Sequence, residues 1–199
     1  MTRAEHWPVV LRHGDVTLRP IKISDAATWE DLRRENENWL KEWEATPPLP
    51  SLEQAPTFRQ VTRRMRRDAR HGLCMPFVVE YQKQFVGQLN VNNIVYGSLR
   101  EANFGYWIAQ KYANRGIMTT AAALITDYLI LTMKLHRVEI AVRPENGPSN
   151  ALMQKLGFDF EGIRKGFLHI NNDWRDHNIY VMTSERLVAP LTQSCSKTH

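Results

Sequence analysis

A chain of 199 residues with 43% hydrophobic and 24% charged residues carries enough apolar material for one core, which excludes an intrinsically disordered chain. Its longest apolar stretch, 121–133, is interrupted by Thr126, Asp127 and Thr132 and falls short of the roughly 18 residues that a membrane span needs. A net charge of +5 favours anionic partners, a polyphosphate cofactor or ribosomal RNA among them, without choosing between them.

The opening stretch MTRAEHWPVV has no apolar signal-peptide core. The two cysteines, Cys74 and Cys195, have no metal-type spacing. A reducing, cytoplasmic location, no metal and no membrane are the expectations. Residues 1–15 read as an N-terminal extension, 16–186 as one domain, and 187–199 as a polar, flexible tail.

In chain order, alternation over 16–20 predicts a strand. Ser24 is placed to cap a helix running to about 35. The segment 46–50 is a Pro-rich loop, and 52–71 reads as a second helix, dense in arginine. Strands at 77–81 and 85–95 flank a polar turn at 82–84, and another strand covers 102–109. Helical periodicity over 117–133 predicts a long helix. A strand at 137–142 ends before Pro144, a helix at 149–156 stops at Gly157, and strands at 158–170 and 174–184 close the chain. The order implies an α/β fold on a single, mostly antiparallel sheet of about seven strands with about four helices.

The most informative stretch is GYWIAQKYANRGIMTTAAALITDYLI, from Gly105 to Ile130. It gives a strand, a polar loop, and Gly116 at the entry to a helix, where free N–H groups and the helix dipole favour phosphate oxygens. A glycine there lets the backbone approach an anion closely. HRVEIAVRPENGPSNALMQKLGF, from His136 to Phe158, adds a strand, an Asn-containing turn and a short helix. Together the two resemble the GCN5-related N-acetyltransferase (GNAT) family. The closing FEGIRKGFLHINNDWRDHNIYVMT, from Phe160 to Thr183, is similar to the ribosomal-protein alanine N-acetyltransferases of the RimJ/RimL type, on the RimJ side.

That resemblance implies acetyl-CoA as cosubstrate, held by a loop at 111–118 and threaded through a parting between two parallel strands. The residues it assigns to the cofactor are Tyr106, Trp107, Ile108, Asn114, Arg115, Gly116, Ile117, Met118, Thr119, Asn146, Ser149 and Asn150. Ala113 and Met118 depart from the family loop, which usually has Arg or Gln first and Gly or Ala last. Asn172 stands where a turn Gly is usual, a place that Asn tolerates in left-handed geometry.

The implied reaction is direct attack of an amine on a thioester, so it needs a proton acceptor, an oxyanion donor and a proton for the thiolate. Cys74 is then a structural residue rather than a nucleophile. The resemblance gives Ser149 the thiol end, and a helix N-cap is its other reading. Asn146 is either a cofactor contact or a turn residue. For the base, the position matching the family's Glu is Leu168, which leaves Glu145, Asp176, Glu101 and His177 open; Asp176 and His177 could equally form a structural pair. Trp29, Trp39 and Trp43 either line the acceptor groove or pack the core. Arginines at 59, 63, 64, 66, 67 and 70 form either a surface for ribosomal RNA or the solvated face of a helix. The implied acceptor is a protein N-terminus on a ribosomal protein, with a monomer or a homodimer both compatible. The rivals are a small-amine acetyltransferase, for which the basic chain offers no acidic cluster, and a noncatalytic RNA-binding factor of the same fold.

Overall fold

The computed structural model describes residues 6–48 and 56–195. Eight strands make one sheet: β1 (Leu11–His13), β2 (Val16–Pro20), β3 (Met75–Tyr81), β4 (Gln84–Val95), β5 (Glu101–Ile108), β6 (Arg137–Val142), β7 (Asp159–Ile170) and β8 (Asp173–Thr183). Their order is β1-β2-β3-β4-β5-β6-β8-β7. Every neighbouring pair is antiparallel except β5 and β6, which run parallel. The helices are α1 (Ala26–Glu35), α2 (Glu37–Lys41), α3 (Phe58–Arg70), α4 (Ile117–Asp127), α5 (Gly147–Lys155) and α6 (Thr192–Cys195). This is the expected α/β class.

Alternation along each strand divides the residues between two faces. Phe77 and Val79 join the main core with Leu89, Val91, Ala102 and Phe104, and α4 covers them with Ala121, Ala122 and Ile125. Val78, between them in sequence, faces the other way and packs with Ile21 and Phe58, against which Trp29 lies. Ala121, Ala122 and Ala123 in a row on α4 are all fully buried. At Gly87 of β4 the strands are so close that a Cβ would overlap the Trp107 carbonyl, so only glycine fits.

Several elements differ from the sequence expectation. Strand β1, inside the stretch read as an extension, pairs with β2 through Leu11↔Leu18; three residues are too few to show a period. Ser24 does not cap α1. A 3-10 turn at Ile23–Asp25 precedes that helix, and the Asp25 carboxylate accepts the Lys22 N–H at 2.7 Å. Helix α2 follows α1 after one residue and was not expected. Of the predicted helix at 52–71, residues 52–55 lie outside the described residues, and α3 starts after Thr57, whose hydroxyl accepts the Gln60 N–H. The helix expected over 117–133 leaves α-geometry after Asp127 and finishes in a π-helical turn at Tyr128–Thr132. The tail is anchored as far as Cys195. Leu187 is buried, and Asp127 accepts N–H bonds from Leu191 at 2.7 Å and Thr192 at 3.1 Å.

Candidate active site

Parallel pairing between β5 and β6 covers Glu101↔Arg137, Ala102↔Val138 and Asn103↔Glu139, and no further. β5 continues to Ile108 and β6 to Val142, so the two strands part and leave a cleft at their C-terminal ends. After β5, a 3-10 turn at Gln110–Tyr112 closes with the Ala113 N–H on the Gln110 carbonyl at 3.0 Å. Asn114 then takes φ 58° and Gly116 φ 73°, both left-handed, which turns the chain sharply into α4. Gly116 is the residue before the helix, and the first-turn N–H groups of Ile117, Met118 and Thr119 have no carbonyl to bond within it. Met118 is 6% exposed and packs in the main core, so its side chain does not block the approach to those amides.

Across the cleft, α5 is capped by Asn146, whose Oδ1 accepts the Ser149 N–H at 3.1 Å. The cap is therefore Asn146 and not Ser149. Both residue types cap well, and Pro148 at the second helical position moves the start two residues earlier than expected. Ser149 keeps its hydroxyl for the cleft, beside Tyr106 of β5. The Tyr106 oxygen is buried without a partner at ordinary hydrogen-bond geometry, so its contact with Ser149 is a loose one. Burial pushes the Tyr106 phenol up to about 12, with Ser149 pulling weakly the other way. It therefore holds its proton at neutral pH.

Asn150 is fully engaged. Its amide donates to the carbonyls of Arg143 at 3.0 Å and Asn146 at 2.7 Å, while its Oδ1 accepts from Asn178 at 2.9 Å and the Tyr180 hydroxyl at 3.0 Å. It locks the Asn-containing turn to β8 and has no group left for a ligand.

The third wall is the corner between α1 and α2. Buried Asn36 accepts the Gln110 N–H at 2.7 Å, and the Trp39 indole N–H donates to the Ile108 carbonyl at 3.0 Å. Arg143, at the end of β6, donates from Nη1 to the Glu42 carbonyl at 2.7 Å and lies over the Trp43 ring at 5.2 Å. Trp39 and Trp43 line the cleft. Trp29 does not: its indole donates to Gln88 at 3.0 Å and stacks near Phe58.

These walls enclose a cavity of about 430 Å³. Of the residues expected at the site, Tyr106, Trp107, Ile108, Asn114, Gly116, Ile117, Met118, Thr119, Asn146 and Ser149 line it. Arg115, Asn150, Glu145 and Asp176 do not. The exposed Arg115 guanidinium sits over Tyr81 and Tyr112 at 5.1 and 5.8 Å. Glu145 pairs with Arg143 at 3.2 Å. Asp176 binds Lys165 at 2.6 Å and the Gly166 N–H at 2.9 Å, where β7 carries an irregularity. Those two bonds hold its carboxyl below the usual range, which makes it a poor proton acceptor. His177 is buried, bonds the Arg175 carbonyl at 3.0 Å and is lowered in pKa mainly by that burial; it is not paired with Asp176. Glu101 pairs with Arg137 at 3.0 Å. Cys74 lies outside the cavity, near the Met65 carbonyl, with burial and then Asp68 raising its thiol to about 11.

Among the lining residues that were missed, two are charged. Glu42 is the only acidic and Lys155 the only basic residue lining the cavity among the described residues. Lys155 follows from a signal that was available: it lies in the last turn of a helix already recognised. Glu42 had none, because α2 is only five residues long. Asn172 takes φ 64°, the left-handed geometry expected of it, and Asn171 beside it is also left-handed at 47°. Five of the six arginines point to solvent on α3, and Arg66 is half-buried.

A family model described as an acetyltransferase (GNAT) domain matches residues 15–159. The ribosomal protein uS5-alanine N-acetyltransferase of Escherichia coli is 30% identical, over 85% of this chain and 88% of that protein. Among solved structures, Mycobacterium smegmatis RimJ in complex with CoA-disulfide superposes with a TM-score of 0.87 at 35% identity, over 94% of this chain and 93% of the other. The ribosomal-protein-S5-alanine acetyltransferase of Vibrio fischeri gives 0.79 at 27% identity, over 89% and 97%.

Proposed function

The chain belongs to the GNAT acetyltransferase family, and from that premise we propose that it moves the acetyl group of acetyl-CoA onto the N-terminal α-amine of a ribosomal protein beginning with Ala or Ser. One observation carries the reading. A single cavity has helix-start amides on one wall, Ser149 and Tyr106 on the second, and an aromatic corner with one carboxylate on the third. The E. coli relative that acetylates an alanine of uS5 and the CoA-bound M. smegmatis neighbour support this cosubstrate and this acceptor. A ribosomal acceptor would place the work in the cytoplasm.

In this reading the amides at the start of α4 take the pyrophosphate, where the helix dipole adds to their pull. Lys155 contributes a positive charge nearby. The pantetheine arm follows the parting of β5 and β6 towards Ser149. The acceptor nitrogen attacks the thioester carbonyl carbon, the C–S bond breaks, and the nitrogen gives up one proton. Ser149 supplies the proton that the leaving sulfur takes. Tyr106, protonated at neutral pH, lies beside the Ser149 hydroxyl and leaves a buried donor free for a ligand oxygen. An α-amine has a pKa of about 8, so an appreciable fraction is neutral near physiological pH. The exposed arginines of α3 offer a surface for ribosomal RNA phosphates, whose binding would weaken steeply with salt.

The test is intact mass and thiol release with acetyl-CoA and peptides beginning with Ala or Ser, alongside N-blocked copies and polyamines. Acetyl on the free N-terminus alone is the expected result. Ser149→Ala should lower kcat about 100-fold with little change in the KM for acetyl-CoA. Release with polyamines alone would move the function to small amines. CoA binding with no turnover on any acceptor would favour the noncatalytic RNA-binding reading.

A further inference from the structure

The reaction releases a proton from the acceptor amine, and none of the carboxylates expected to take it faces the cavity. Glu145 is held by Arg143, Asp176 by Lys165 and Gly166, and Glu101 by Arg137. Glu42 is different. It is exposed at the end of α2, and among the described residues it is the only acidic one lining the cavity. We propose that Glu42 receives the acceptor's ammonium group and takes the proton it loses, with Arg143 as the residue that positions it. This rests on the reading of the reaction given above.

The geometry that supports it is the way Glu42 is fixed. Arg143, its side chain only 10% exposed, donates from Nη1 to the Glu42 carbonyl at 2.7 Å and covers the Trp43 ring at 5.2 Å. The Arg143 carbonyl in turn accepts the Asn150 amide at 3.0 Å. The turn that orients Ser149 on one side of the cavity therefore also sets the backbone of Glu42 on the other. Trp39 lines the same corner, and an aromatic face attracts a cation beside a carboxylate; the Trp43 ring there already carries the Arg143 guanidinium. In the step itself, the ammonium first gives one proton to the Glu42 carboxylate, which hands it to solvent. The freed nitrogen lone pair forms the C–N bond, the sulfur leaves with the C–S electron pair and takes the Ser149 proton, and the second N–H proton passes to Glu42. Because Glu42 is exposed, that proton then passes to solvent, and solvent returns one proton to the Ser149 oxygen.

The experiment measures peptide kinetics and calorimetric acetyl-CoA affinity on the full chain and on Glu42→Gln, Glu42→Asp and Arg143→Lys. Glu42→Gln should lower kcat/KM for an Ala-starting peptide about tenfold or more, with acetyl-CoA affinity held within about twofold. Glu42→Asp keeps the charge and should recover part of the loss. Arg143→Lys cannot reproduce the planar fork and should lower kcat/KM for the peptide in the same direction as Glu42→Gln, with acetyl-CoA affinity held within about twofold. Unchanged peptide kinetics would remove Arg143 from the positioning role. If Glu42→Gln matches the unmodified protein on peptide, this inference falls while the proposed function stands. If Glu42→Gln loses acetyl-CoA affinity in step with peptide activity, Glu42 is structural and the inference also falls. If the unmodified protein acetylates no peptide, the proposed function fails and takes this inference with it.

Discussion

The two sides of the cavity are built by different means. The side formed by the loop after β5, the start of α4 and the start of α5 is mostly backbone: a left-handed glycine, a helix N-terminus with free amides and a local Asn cap, with Asn150 tying the turn to β8. The side formed by the α1–α2 corner is made of side chains, and three long-range hydrogen bonds hold it, from Gln110 to Asn36, Trp39 to Ile108 and Arg143 to Glu42. A wall of local backbone is stiff and tolerates changes of residue. A wall latched by single side chains is adjustable and is lost one latch at a time. Under the proposed function the cosubstrate would lie on the stiff side and the acceptor on the adjustable one.

Two asparagines give the sharpest way to break this comparison, one on each side. Asn150→Ala removes the engaged amide that locks the turn to β8, and should cost about 2–3 kcal/mol of stability in urea denaturation. It should raise the KM for acetyl-CoA more than that for peptide. Asn36→Ala leaves the Gln110 N–H without its acceptor, and should cost about 1–2 kcal/mol. Its larger kinetic effect should fall on the peptide KM. If both variants raise the same KM, the two walls are one unit and the division is wrong.

The smallest expected effect is one of pH. His177 is buried with its pKa lowered, chiefly by that burial. The unfolded chain therefore binds a proton that the folded chain resists, so stability is full above the unfolded histidine value of about 6.5 and falls as pH drops below it. Melting temperature should decline between pH 7 and 5, and His177→Gln should flatten that decline. Because His177 sits on β8 and outside the cavity, the acetyl-CoA KM should not follow it.

The fold was legible where one segment carried its own period. Strand β6 and the apolar stripe of α4 are examples, and so is Gly116, where a polar loop meets a helix. The local choice between Asn146 and Ser149 as cap was not legible, since both residue types cap and only the position of Pro148 in the finished turn decides. The α1–α2 corner was invisible for a simpler reason. Its three latches join residues 74, 69 and 101 positions apart, and neither α2 nor β1 is long enough to announce itself. Asp176 and Glu145 were attractive as acids near the right motifs, yet each is held by a basic neighbour outside the cavity. Charge in a motif says that a partner exists, and only the fold says whether the partner is a lysine or a substrate.

Met118 shows how such a site can change its spelling. In the proposed reading the group that faces the anion at this position is an amide, which every residue except proline owns, while the side chain packs in the apolar core. The letter at 118 therefore records the volume of a hole in the core. Leucine or isoleucine could stand there without rewriting the anion site, whereas proline would erase a donor and leave the interior nearly filled. Two loops of this kind can differ in most of their letters and still present the same row of N–H groups, provided the left-handed turn at Gly116 remains.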